Sequence, residues 1–177
     1  MEQYSLRIAT PQDALIIWQV MDLCYKSLEN QSCFICDTPD YVSDLLSHGG
    51  FGVVACDLFG NIVGNLLIKY PGLSEDNLGY DLSFTVPDLL KVAHMDSCSV
   101  LPRARGNQLE AKMLSYAEAL INPDHHYFLL ATVSPENIPS IKSLQKVGYK
   151  IMMTKEKYQG VLRHIVMKKL RNSLDNG

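Results

Sequence analysis

The sequence lacks several features that would place it outside the ordinary globular proteins. It has no basic excess, since 16 lysines and arginines stand against 19 acidic residues, which gives a net charge of −3. Proteins that bind nucleic acid or anionic membranes usually show a basic excess or patch, so we expect neither partner. No apolar run approaches the ~20 residues that a membrane span needs. The length of 177 residues predicts a single domain over 1–177.

Secretory and metal-binding signals are also weak. No basic segment followed by an apolar core stands near the beginning, and the cysteines number five, an odd count. Both features predict a cytoplasmic protein with reduced thiols. Cys33 and Cys36 form a C-x-x-C, but a structural zinc needs four ligands and no second pair at ligand spacing follows. We therefore expect no metal and favour incidental cysteines, with metal or redox use as the alternative.

Turn residues and apolar spacing divide the chain into strands and helices. Thr10-Pro11 and Thr38-Pro39 each predict a helix start, because threonine caps helices and proline suits the first helical position. Two apolar runs at 51–56 and 62–68, joined by a short Asp/Gly/Asn loop, are typical of an antiparallel hairpin. The other expected elements are a strand at 6–9, a strand at 92–100, a helix at 109–121, a strand at 127–133, a helix at 137–147 and strands near 150–154 and 162–168.

This order of elements predicts a fold class. The strand–helix–strand unit between residues 92 and 133 is expected to be parallel, and the hairpins on either side antiparallel. The prediction is a mixed α/β fold in which a mostly antiparallel central sheet surrounds a parallel β-α-β core. Helices are expected on both faces of the sheet. Exposed sheet edges in this layout would allow a homodimer.

The segment from Val92 to Glu110 carries the clearest chemical signal. A strand runs into a turn that opens a helix, whose first amides have no internal partners and lie at its positive end. Such a helix start can receive a phosphate or pyrophosphate. Arg105 adds positive charge, and Gly106 lets a ligand approach the backbone closely. The alternative is an ordinary helix start with a surface arginine. A dinucleotide site is not expected, because G-x-G-x-x-G is missing.

Residues 100–114 resemble the acyl-CoA signature of the GNAT superfamily of N-acetyltransferases, which is Gln/Arg-x-x-Gly-x-Gly/Ala preceded by valine and proline. Residues 137–149 resemble the family's second motif, an asparagine followed eleven residues later by Gly-Phe or Gly-Tyr. The resemblance covers nearly the whole chain. It implies a GNAT-like fold and an acetyl-CoA-dependent N-acetyltransferase acting on a primary amine of a small molecule or peptide. The alternative is a non-catalytic acyl-CoA-binding module that serves as a sensor or scaffold.

The resemblance also assigns residues to the cofactor. The pyrophosphate would lie on the amides of residues 105–110, and the pantetheine arm would pair with the end of the preceding strand. The implied cofactor-binding residues are Ser99, Val100, Leu101, Arg105, Gly106, Asn107, Gln108, Leu109, Glu110, Asn137 and Ser140. Asn137 is in addition expected to cap the helix that follows it.

Three positions depart from the family pattern. Gln108 stands where the signature has glycine, and Glu110 stands where it has glycine or alanine. Glu110 is expected to oppose an anionic ligand unless its side chain points to solvent. Leu144 stands where the family has a tyrosine that gives a proton to the departing thiolate, and Tyr149 and Tyr158 are the candidate substitutes.

His94 and Asp96 are the candidate catalytic bases. An attacking amine must be neutral, whereas a lysine-like amine, with a pKa of ~10.4, is protonated at pH 7. Residues two apart in a strand face the same side, and some family members carry their base at one of these positions. The alternative is that His94 and Asp96 satisfy each other by hydrogen bonding. Glu75, Asp76 and Asp81 could receive a cationic amine, or could simply be solvated.

Overall fold

The structure is a computed structural model that describes residues 3–34, 36–158 and 160–171. Within these residues the strands are β1 (Tyr4–Ile8), β2 (Gly50–Asp57), β3 (Ile62–Lys69), β4 (Val92–Val100), β5 (Phe128–Val133), β6 (Lys150–Lys157) and β7 (Val161–Lys169). The helices there are α1 (Ala14–Lys26), α2 (Pro39–Asp44), α3 (Val86–Leu89), α4 (Leu109–Leu120) and α5 (Ile138–Lys146). The single domain over 1–177 stays a prediction, and residues 1–2, 35, 159 and 172–177 lie outside the described ranges.

The seven strands pair in the order β1-β2-β3-β4-β5-β7-β6. The hairpins β2–β3 and β6–β7 are antiparallel, and β4 pairs with β5 in parallel, as the sequence predicts. The last hairpin folds back so that β7, rather than β6, lies beside β5. The predicted mixed α/β fold class is therefore confirmed.

Apolar residues cover both faces of the sheet. Val54 and Leu67 pack into a cluster with α1 and α2, whereas Val53 and Leu66 pack into a second cluster with α4. This alternation follows from the pleat, which points successive side chains to opposite faces. Because both faces are covered, β2 and β3 carry apolar residues at consecutive positions, such as Val53-Val54 and Leu66-Leu67. Truncating the fully buried Leu67 to alanine is expected to cost about 2–5 kcal/mol of folding free energy.

Both predicted Thr-Pro helix starts are present. The Thr38 side chain accepts a hydrogen bond from the Tyr41 amide at 3.2 Å, and Pro39 occupies the first turn of α2. Thr10 and Asp13 form a reciprocal capping box, in which the Thr10 amide donates to Asp13 Oδ2 at 2.7 Å. A 3₁₀ turn at 11–13 precedes α1, so that helix begins at Ala14. Among the described residues, no helix is both long and apolar enough to cross a membrane.

Candidate functional site

A cleft opens in the middle of the sheet because β4 and β5 separate. Their parallel ladder joins residues 92–94 to residues 128–130, yet β4 continues to Val100 and β5 to Val133. The cleft between the separated strand ends has a volume of about 490 Å³. Its walls come from the segment before α2, from the first turns of α4 and α5, and from the β6–β7 hairpin. One edge of β4 therefore faces an open cavity rather than a neighbouring strand.

A β-bulge in β4 lies beside this cavity. Ile68 of β3 pairs with Met95 and Leu66 pairs with Cys98, so Leu67 opposes two residues, Asp96 and Ser97. An extra residue of this kind bends a strand and changes the direction of its side chains. Asp96 is exposed in the cleft, whereas Ser97 on the other side of the bulge is buried.

Asp96 has one hydroxyl donor and a raised pKa. The Tyr41 hydroxyl donates to Asp96 Oδ2 at 2.6 Å. Burial raises the pKa of Asp96 to about 6, although the Tyr41 hydrogen bond opposes the rise. Water reaches the carboxylate along the cleft, but protein atoms enclose it on its other sides, and the charge of nearby Asp37 adds to the effect. At pH 7 Asp96 is therefore ionised and more basic than an ordinary aspartate.

His94 lines the same cleft but is only 4% exposed. Its Nε2 accepts a hydrogen bond from the Leu78 amide at 3.1 Å, which places the ring proton of the neutral form on Nδ1. Burial lowers the pKa of His94 to about 4. The lone pair that a base would use is thus engaged by the backbone. The two candidate bases do not satisfy each other, since each has a different hydrogen-bond partner.

The turn after β4 leads into α4 through two residues with positive φ. Gly106 has a φ of 81°, and a Cβ added there would meet nothing within 4 Å, so its surface is open. Gln108 has a φ of 58°, where glycine is the usual residue, and its side chain accepts a hydrogen bond from Lys146. The Arg105 guanidinium folds back to donate to the Val100 carbonyl and to Ser27 Oγ, each at 3.2 Å.

Glu110 does not point to solvent. It lines the cleft, and its Oε1 accepts a hydrogen bond from Ser140 Oγ of α5 at 2.6 Å. Burial raises the pKa of Glu110, although the hydroxyls of Ser140 and Ser143 oppose the rise. Because the Glu110 side chain points into the cleft, we expect its charge to oppose an anionic ligand there.

Asn137 caps α5 as predicted, because its side-chain oxygen accepts from the Ser140 amide at 3.2 Å. Both residues line the cleft, as do Glu110 and Leu144. The remaining predicted cofactor residues follow the open β4 edge and the turn after it: Ser99, Val100, Leu101, Arg105, Gly106, Asn107, Gln108 and Leu109. Their contact with a cofactor stays a prediction.

Several residues of the cleft were not singled out from the sequence. Asp37 accepts a hydrogen bond from Ser97 Oγ at 2.6 Å, and Tyr41 holds Asp96 from 55 positions away in the chain. Arg163 of β7 is 3% exposed and donates to the carbonyls of Ser32 and Cys33 at 2.9 Å. The Thr38-Pro39 signal located the helix start beside Asp37 and Tyr41. No local pattern indicates their contacts with β4.

Tyr149 and Tyr158, the candidate proton donors in place of the family's tyrosine, differ in their surroundings. Tyr158 lines the cleft, with its hydroxyl 3.2 Å from Thr132 Oγ1. Tyr149 is 2% exposed and packs in the core cluster that contains α4. Tyr158 is the one whose hydroxyl lies on the cleft.

The acidic loop forms ion pairs with lysines of β3 and β6. Asp81 forms ion pairs with Lys155 at 2.6 Å and Lys157 at 2.5 Å, and Asp76 pairs with Lys69. The carboxylates proposed to receive an amine are thus already paired with cations, Glu75 aside. The cysteines are free thiols. In the part of the chain that the structure describes, no group of three or more His, Cys, Asp or Glu residues could hold a metal ion.

No protein-family model matches the sequence, and a search of curated proteins finds no match. Solved structures do match. A GNAT superfamily phosphinothricin acetyltransferase from Sinorhizobium meliloti, in complex with acetyl-CoA, is 16% identical with a TM-score of 0.71, covering 98% of this chain and 92% of its own. Naa20 from Chaetomium thermophilum, in complex with a bisubstrate analogue, is 18% identical with a TM-score of 0.70, covering 97% and 89%.

The ribosomal-protein-S5-alanine acetyltransferase from Vibrio fischeri is 16% identical with a TM-score of 0.68, covering 96% of this chain and 94% of its own. At these identities the likeness establishes the fold alone. The chain has the GNAT fold over almost its whole length, which confirms the fold that the two motifs implied.

Proposed function

We propose that this chain, which has the GNAT fold, is an acetyl-CoA-dependent N-acetyltransferase. It transfers an acetyl group to a primary amine of a small molecule or peptide by direct attack. The observation that carries this proposal is the position of Asp96, a carboxylate with a pKa of about 6 that faces the cleft beside the open edge of β4. A base and a strand edge that meet in one cavity suit the transfer of an extended acyl donor to an amine.

The residues around the cleft are consistent with acetyl-CoA as the donor. Ser99, Val100 and Leu101 would pair with the pantetheine arm, and strand addition of this kind gains its affinity from main-chain hydrogen bonds. The amides of residues 105–110 would hold the pyrophosphate, and the open surface at Gly106 lets a ligand approach them. Asn137 and Ser140 would contact the arm from α5. When bound, acetyl-CoA supplies an activated thioester carbonyl, and the helix start supplies positive charge.

Asp96 takes the proton of the acceptor amine. The carboxylate is ionised at pH 7, and one of its oxygens is held by Tyr41, which leaves Oδ1 to accept a proton directly or through a water. The neutral amine would then form a bond to the thioester carbonyl carbon, the carbon–sulfur bond would break, and the second proton on nitrogen would pass to solvent. His94 serves as a positioning residue, because its Nε2 holds the Leu78 amide at the wall of the cleft.

The departing thiolate needs little help. A thiol has a pKa near ~8.5, so it leaves without a strong acid. Tyr158 is the tyrosine whose hydroxyl lies on the cleft, and we assign it to donate the final proton. A non-catalytic acyl-CoA-binding module remains the second candidate. The observation that favours it is Leu144, a side chain without a donor at the position of the family's tyrosine.

Two measurements on the wild-type protein separate these functions. Calorimetry with acetyl-CoA is expected to show micromolar binding, with CoA and NAD as comparison ligands. Mass spectrometry of a panel of small amines and peptides is expected to find acetylated products. Mass spectrometry is preferred to thiol reagents, because the protein's own free cysteines react with them. Binding without any acetylated amine would support the non-catalytic module, and no binding would contradict both functions.

A further inference from the structure

The side chain of Glu110 lies inside the channel proposed for the cofactor. It extends from the first turn of α4 and ends at 2.6 Å from Ser140 Oγ on α5. Cys98 of β4 lines the same cleft, and the charge of Glu110 adds to the effect of burial in raising the pKa of that thiol. The carboxyl group therefore lies in the cleft that is bounded by β4 and the start of α5.

The groups around Glu110 are those proposed to hold the pantetheine arm. Asn137 and Ser140 of the α5 start line the cleft together with Glu110, and Cys98 lines it from β4, next to Ser99 in the chain. Within the described ranges, Glu110 forms no ion pair with a lysine or arginine. The positive end of α4 favours a negative group in its first turn. Glu110 and an anionic cofactor thus compete for the same helix end as well as for the same space.

We infer that the Glu110 side chain is an internal occupant of the acyl-CoA channel, which the cofactor must displace and which thereby sets the cofactor's affinity. This inference rests on the proposed function. Displacement requires the hydrogen bond to Ser140 to break and the side chain to rotate out of the space between β4 and α5. An acyl-CoA site with a small residue at this position would not have that step.

The test compares the affinity of four proteins for CoA by calorimetry. Glu110→Ala removes the occupant and is expected to tighten CoA binding at least tenfold, which corresponds to ~1.4 kcal/mol. Glu110→Gln removes the charge but keeps the volume and the bond to Ser140, so a smaller gain is expected. Glu29→Ala removes an exposed carboxylate outside the cleft and is expected to leave the affinity unchanged. Equal melting temperatures would show that the variants fold.

Pantetheine, which has no phosphates, separates displacement from charge repulsion. If Glu110 fills the channel, Glu110→Ala tightens pantetheine as well as CoA, because both ligands pass through the space that the side chain occupies. Equal gains for the Gln and Ala variants on CoA, with no gain on pantetheine, would overturn the inference, because only repulsion of phosphates would then remain. CoA binding to the wild type that is not improved in Glu110→Ala would overturn it as well. Absence of CoA binding to all four proteins would instead contradict the proposed function.

Discussion

Two carboxyl groups line one cleft, and they differ in what surrounds them. Asp96 and Glu110 each accept a 2.6 Å hydrogen bond from one hydroxyl, of Tyr41 and Ser140 respectively. Burial raises the pKa of both. Asp96, however, lies on a bulged strand and is exposed to the cavity, whereas Glu110 is held between α4 and α5. Asp96 is therefore proposed as the base and Glu110 as the obstacle to the cofactor, on the ground of their different surroundings.

The largest expected effect separates the two candidate bases. Asp96→Asn is expected to lower the acetylation rate by about 10²–10⁴-fold, because the proton acceptor is lost, while CoA affinity stays within about twofold. His94→Gln, whose side-chain oxygen can still accept from the Leu78 amide, is expected to keep the rate within about tenfold. Steady-state kinetics with calorimetry measures both. A large loss of rate in His94→Gln together with a small loss in Asp96→Asn would mean that His94, not Asp96, is the base.

Removing the hydroxyl at the Asp96 end tests what the Tyr41 hydrogen bond contributes. That bond stabilises the ionised carboxylate, so Tyr41→Phe is expected to raise the pKa of Asp96 above about 6. The acid limb of the rate profile should then move to higher pH, with a loss of several-fold at pH 7. Tyr116→Phe, on the outer surface of α4, is the matched control. An unmoved limb would mean that Tyr41 does not govern the ionisation of the base.

The stability of the two carboxylate variants should depend on pH with the same sign. The pKa of Asp96 is higher in the folded protein than in the unfolded chain. The fold therefore becomes less stable as the pH rises from about 4 to 6. Asp96→Asn removes this loss, so it should stabilise the fold by about 1 kcal/mol at pH 8, after allowance for solvent screening, and by nothing at pH 4. Glu110→Gln should show the same direction. Urea denaturation at both pH values tests this, and a gain at pH 4 alone would contradict it.

The smallest expected effect is that of Gln108→Gly, in the turn between β4 and α4. Gln108 has a left-handed backbone, which glycine adopts freely and β-branched residues resist. Gln108→Gly is expected to change the free energy of unfolding by less than about 0.5 kcal/mol, because relieved strain and lost chain entropy offset each other. Gln108→Val is expected to lower it by about 1–2 kcal/mol. Equal stability of both variants in urea would show that the turn is not constrained.

The sequence predicted most of the helices and strands, and it indicated residues that line the cleft but not their contacts. The helix starts predicted from Thr38-Pro39 and from Asn137 are confirmed. Such signals are reliable because a cap depends only on residues that are close in the sequence. The Tyr41–Asp96 contact could not be predicted, since it joins residues 55 positions apart. Arg163 similarly holds Ser32 from 131 positions away. Alternation along β4 treated His94 and Asp96 as equivalent, and only the structure shows that one is buried against Leu78 and the other is open.

The departures from the family signature are visible in the sequence, but the sequence does not show where their side chains point. Glu110 was recognisable as a charge beside a helix start. Whether it pointed to solvent depended on the packing of α5 against α4, which brings Ser140 within hydrogen-bond distance. Such packing joins residues 30 apart in the chain and cannot be derived from either motif alone.

The most direct test of the central claim, that Asp96 is the base of an N-acetyltransferase, is the pH dependence of kcat/KM. A peptide acceptor with a free α-amine is the suitable substrate, because its own pKa of ~7.7–8.0 is separate from that of Asp96. The predicted profile has an acid limb at about pH 6, from the raised pKa of Asp96, below the limb of the amine. The limb at pH 6 should vanish in Asp96→Asn. A wild-type profile with the amine limb alone, or an unchanged limb in Asp96→Asn, would contradict the assignment.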